Sequence, residues 1–149
     1  MKVTRSELRE RIMTILYQIN IYRKDKIDYT VEDVILENDK EGNDFVKTIV
    51  YGSIEKEKYL DEIINKYLSD WTVKRLGNID QAIFRMSAYE LMFTDTPHVV
   101  AINEGIELSK KFSDEKVTKM LNAVLDEILN KEALNEWSIS ICNWCKYLY

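Results

Sequence analysis

Leu8, Ile12, Ile15, Ile19 and Tyr22 recur at intervals of three and four residues, the spacing that lines one face of an α-helix. Only four glycines and one proline interrupt the 149 residues. So few breakers suit long helices and leave too few tight turns for a many-stranded sheet. The first pattern predicts an amphipathic helix from about Thr4 to Arg23. Val31, Val34 and Ile35 predict a short helix capped by Thr30. Phe45, Ile49 and Ile54, then Tyr59, Leu60, Ile63, Ile64 and Tyr67, predict one long helix or two abutting ones, with Gly52 as a possible joint. Asn78 can cap a helix running to about Phe93. Its Ile79, Ile83, Phe84, Met86, Tyr89, Leu91, Met92 and Phe93 leave little polar face, which belongs at the centre of a bundle. Pro97 ends the next turn, a helix follows from about Val99 to Phe112, and Ser113 can cap a last one carrying Val117, Leu121, Val124, Leu125 and Ile128.

No strand pattern, internal repeat or low-complexity linker stands out, so the expectation is an all-α, single-domain helical bundle of about seven helices. It is assigned residues 1–132. Residues 133–149 break the pattern with Trp137, Ile139, Ile141, Trp144, Tyr147, Leu148 and Tyr149. They are set apart as an aromatic C-terminal tail, adhesive if exposed.

No apolar run approaches the roughly 18 residues that cross a bilayer. Residues 1–7 lead into no apolar segment of a signal peptide. A cytoplasmic protein with no membrane partner is expected. The net charge of −5 argues weakly against bulk nucleic-acid binding, but its distribution matters more. Lys2, Arg5, Arg9 and Arg11 accompany only Glu7 and Glu10, whereas residues 28–44 carry seven acids against Lys40. A basic end facing an acidic segment raises the question of a local anionic ligand.

On a helical wheel Lys2, Arg5 and Arg9 share one edge of the first apolar stripe, and Arg11 lies near the other. Basic residues oppose the dipole of a helix's first turn, whose free N–H groups can bind phosphate. Pairing with Glu7 and Glu10 is the structural alternative. Tyr17, Tyr22 and Tyr29 could stack on unpaired bases; Tyr22 sits on the stripe, Tyr17 off it. Arg85 needs a partner if buried, and Glu90, five residues on, is off helical spacing. The partner is therefore expected on another helix. Asn103 and Glu104 could cap or bridge helices. The single histidine, His98, supports no Ser/His/Asp set, and no glycine-rich phosphate loop exists. Cys142 and Cys145 form a CxxC without further ligands or a strand–turn–helix setting. Neither an enzyme, a metal site nor a cofactor is expected.

Taken in order, Arg5-Ser6-Glu7-Leu8-Arg9-Glu10 with Leu16-Tyr17-Gln18, then Phe45, Gly52, Asp61 and Leu68, then Arg75-Leu76-Gly77-Asn78-Ile79-Asp80, then Ala82 to Leu91, then Pro97 with Ala101-Ile102-Asn103-Glu104, and finally Lys119 to Asp126, resemble the NusB family of transcription antitermination factors. The resemblance spans roughly residues 4–130. It implies an all-helical, non-enzymatic protein that binds the boxA RNA of ribosomal RNA leaders. It also implies pairing with NusE, a small-subunit ribosomal protein, within the transcribing RNA polymerase complex and its other Nus factors. Carried over residue by residue, it assigns RNA contacts to Lys2, Arg5, Arg9, Tyr17 and Met120, and a NusE contact to Asp80.

Val99 stands where some members carry a lysine, Gly105 where alanine is usual, and Ala123 where glycine is usual. The first change removes a possible phosphate contact; the others look like packing variants. The tail has no counterpart in the family pattern. Two other readings stand beside this one: a protein-interaction or dimerisation module without specific RNA binding, such as a homodimer, and a redox or metal protein using Cys142 and Cys145.

Overall fold

A computed structural model describes residues 2–133. Among them the chain forms seven α-helices and no strand, as expected: α1 Arg5–Lys24, α2 Val31–Asn38, α3 Asp44–Glu55, α4 Glu57–Tyr67, α5 Asn78–Phe93, α6 His98–Phe112 and α7 Glu115–Ile128. A 3-10 turn, Val73–Arg75, leads into α5, and a π turn, Leu129–Ala133, extends α7. Apart from the backbone of Ala133, the aromatic tail with Cys142 and Cys145 lies outside the described residues.

Helix α5 is the axis. Every residue from Ala82 to Met92 is buried, and α1, α3, α4, α6 and α7 all pack on it. Its all-round apolar sequence foretold that position. The stripe of α1, with Leu8, Ile12, Ile15, Leu16 and Ile19 buried, faces it. None of the described helices is long and apolar enough to cross a membrane.

Three local expectations change. Gly52 is not a joint: α3 and α4 break at Lys56. Gly52 instead lets the Tyr89 ring lie against the α3 backbone, since a Cβ there would fall 2.0 Å from the ring. Asn78 is the first residue of α5, and the cap position belongs to Gly77, which offers no side-chain bond. Ser113 likewise does not cap α7; Asp114 does, accepting the Val117 N–H at 2.8 Å. Thr30 does cap α2, through the Asp33 N–H.

At Gly105 α6 comes so close to α5 that a Cβ would sit 2.5 Å from the Ser87 hydroxyl. That explains a glycine there. At the end of the bundle Glu132 accepts from the Tyr67 hydroxyl at 2.7 Å and from Lys66 at 2.9 Å. These bonds hold its carboxyl below the usual glutamate value.

Candidate functional site

The basic edge of α1 divides into exposed and committed charges. Thr4 caps the helix through the Glu7 N–H, and the Glu7 carboxylate returns to the Thr4 N–H at 2.9 Å. This capping box satisfies part of the helix end that was expected to be open to phosphate. Lys2 and Arg5 are exposed. The Arg5 guanidinium lies 4.1 Å from the centre of the Phe45 ring, a cation–π contact that orders it while leaving it wet.

Arg9 behaves differently. It is 4% exposed, and its Nε and Nη2 donate to Glu90 of α5 at 2.7 and 3.0 Å. Its Nη1 stands 3.8 Å from Glu104 of α6, which also accepts from the Ser6 hydroxyl. Arg9 is thus a bolt between helices and presents no charge at the surface. Glu104 bridges α6 to α1, as one reading of the sequence had it. Arg11 reaches Asp39 at 2.7 Å. Asp39 is 0% exposed and takes the Asn43 N–H as well. The basic end and the acidic segment therefore do meet, but at a pair whose carboxylate is buried and whose guanidinium is half-buried. Glu10 pairs with Lys111, not with the α1 arginines.

The aromatic candidates also separate. Tyr22 and Tyr29 pack on each other with ring centres 5.8 Å apart, and the Tyr29 hydroxyl accepts from Arg23. Both are used internally. Tyr17 is half-buried on α1, and Met120 is half-buried on α7. Asp80, in the first turn of α5, accepts from the Ser113 hydroxyl at 2.6 Å, so it is ordered at the surface where α5 meets the α6–α7 turn. Arg85 finds the partner on another helix that its burial demanded: Asp61 of α4, at 2.8 and 2.9 Å, with Asn20 of α1 at 3.3 Å. Sequence reasoning missed the Arg9–Glu90 pair, whose members lie 81 residues apart. The only available signal was two opposite charges on two apolar helices.

The model of the NusB family matches residues 6–130. The transcription antitermination protein NusB of Macrococcus caseolyticus is 38% identical over 133 residues, covering 88% of this chain and all of that one. Its namesake from Bacillus subtilis is 39% identical over 127 residues, covering 83% and 93%. Among solved structures, T. maritima NusB superposes with a TM-score of 0.78 at 30% identity, covering 91% of this chain and 97% of that one. A crystal structure of the antitermination factors NusB and NusE in complex with dsRNA gives a TM-score of 0.68 at 25% identity, covering 83% and 94%.

Proposed function

The chain belongs to the NusB family, and from that premise we propose that it is a transcription antitermination factor that binds the boxA RNA of ribosomal RNA leaders together with NusE. The observation that carries this reading is the surface of α1. Lys2 and Arg5 stay exposed at its start, Tyr17 lies further along it, and Arg9 and Arg11 are spent on Glu90 and Asp39. Exposed cations supply phosphate attraction, and a half-exposed tyrosine supplies a stacking face for an unpaired base.

Met120 extends the RNA surface from α7. Arg9 serves it indirectly, by holding α1 against α5. Asp80 is the NusE contact, held in place by Ser113. NusE contributes positive surface, so a net charge of −5 is no obstacle. No step of this function asks for catalysis. The bundle of residues 1–132 is the binding unit, and the tail 133–149 is an addition to it.

The test is binding of a short boxA RNA against a scrambled RNA, with and without NusE, at two salt concentrations. Sequence-selective binding tightened by NusE is expected; equal weak binding to both RNAs, unaltered by NusE, overturns the proposal. A second reading, self-association without RNA, draws on Val99 and Val100. These are 68% and 41% exposed on the first turn of α6. Light scattering that returns only monomer removes it.

A further inference from the structure

At the far end of α1 from Lys2 and Arg5, an open cleft of about 420 Å³ lies between α1 and the start of α5, lined by Asn20, Arg23, Lys24, Glu57, Lys74, Asn78, Gln81 and Arg85. Four of these side chains are cationic and one is acidic. Glu57 is already engaged by Arg23 at 2.8 Å and Arg85 at 3.2 Å, and Arg85 is further held by Asp61. That leaves Lys24 and Lys74, both exposed and neither in an ion pair among the described residues. With Glu57 engaged by the two arginines, these two lysines give the cleft an excess of positive charge that favours an anion.

The cleft has a second, inner feature. Asn20, Arg23, Glu57 and Arg85 also line a recess of about 10 Å³ behind it, together with Ser53. Ser53 is 2% exposed, and its hydroxyl has no hydrogen-bond partner among the protein groups. A buried hydroxyl left unmatched is costly. A recess of this size takes a single water, which can relay the hydroxyl to a guest in the outer cleft. The amide of Gln81 is committed to Leu76 and that of Asn20 to the Asn78 carbonyl, so the cleft wall is fixed.

We propose that this cleft is a phosphate site and that it grips the backbone of the RNA bound along α1, with Lys24 and Lys74 supplying the charge. Tyr17, Asn20 and Lys24 follow at three and seven residues along α1, which places them on one helical face. A strand stacked on Tyr17 and running toward the C-terminal end of the helix reaches the cleft next. The identity of the phosphate as RNA rests on the function proposed above; the anion site itself does not.

The test has two arms, both on the full chain. First, inorganic phosphate is titrated into ¹⁵N-labelled protein, and the side-chain amides of Asn20, Asn78 and Gln81 are followed by NMR. Saturable shifts that vanish in K24A/K74A are expected. Shifts that are absent, or unchanged in the double variant, overturn the site. Second, the salt dependence of boxA RNA binding is compared between wild type and K24A/K74A. Each phosphate contact on a single strand contributes about 0.7 to the slope of log K against log salt, so a fall of about 1.4 is expected. An unchanged slope alongside saturable phosphate shifts overturns the RNA assignment and leaves a site for free phosphate. Wild-type protein that binds no RNA overturns the proposed function, and the phosphate arm then decides the cleft alone.

Discussion

The guanidinium of Arg9 and the carboxylate of Glu90 meet edge to edge, joined by two short bonds, with side chains only 5% and 4% exposed. Such a pair is far more sensitive to losing one member than to losing both. Glu90→Ala leaves a buried cation and is expected to destabilise the fold by about 3–5 kcal/mol, toward the lower value because Glu104 stands 3.8 Å from Arg9. Arg9→Met with Glu90→Leu is expected to recover most of that loss. Urea unfolding of the single and double variants decides it; equal losses show that the charge pairing is not what matters.

The two close glycine contacts predict a contrast. Gly52→Ala drives a Cβ to 2.0 Å from the Tyr89 ring, a rigid body pinned between α3 and α5. Overpacking of this kind costs about 1–3 kcal/mol. Gly105→Ala meets the Ser87 hydroxyl at 2.5 Å and the Ser87 Cβ at 3.1 Å. A hydroxyl can rotate away, so the smaller loss is expected there, and Ser87→Ala should reduce it further. Thermal unfolding that ranks Gly105→Ala as the worse change contradicts this.

Exposed and committed arginines on α1 should part company in RNA binding. Lys2→Ala with Arg5→Ala is expected to lower boxA affinity and to flatten its salt slope by about 1.4. Arg11→Ala should leave the slope unchanged while lowering stability, because it strips the fully buried Asp39 of its partner. Fluorescence anisotropy across a salt series checks both. A steeper loss from Arg11 than from Lys2 and Arg5 would reverse the assignment.

Glu132 gives the fold an acid-sensitive contact. Bonds from Tyr67 and Lys66 place its folded value below its unfolded one. The stability it contributes is therefore full above the unfolded value, about pH 4.3, and is lost as pH falls through the folded value. Wild type should exceed Glu132→Gln in stability at neutral pH, and the gap should close in acid. A gap that persists unchanged at pH 2 sinks this account.

Much of the architecture was legible in the periodicities. The stripe of α1, the Thr30 cap and the central burial of α5 all follow from the spacing of apolar residues, a local property. The misplacements were local too, but of another kind. Asn78 and Ser113 are both good capping residues, each beside the residue that holds the cap, and propensity cannot separate neighbours. Gly52 read as a hinge because glycine weakens helices; its reason lies in a tyrosine 37 positions away, invisible to any window on α3. Arg9 shows the same limit at the site. The wheel put it with Lys2 and Arg5 on one basic edge, and only the packing of α1 on α5 reveals that a carboxylate was waiting for it. Arg85 was easier, since burial alone demanded a partner on another helix.

The pairing of α1 with α5 also sets a timetable. Synthesis proceeds from the N-terminus at about 5–20 residues per second, and Arg9 precedes Glu90 by 81 residues. For roughly 4–16 seconds after Arg9 is added, the Glu90 that pairs with it does not yet exist. During that interval the apolar stripe of α1 has only α2 and α3 of its native neighbours to pack on. The first helix made thus waits for the fifth before its burial is complete, and its seating is governed by the arrival of α5.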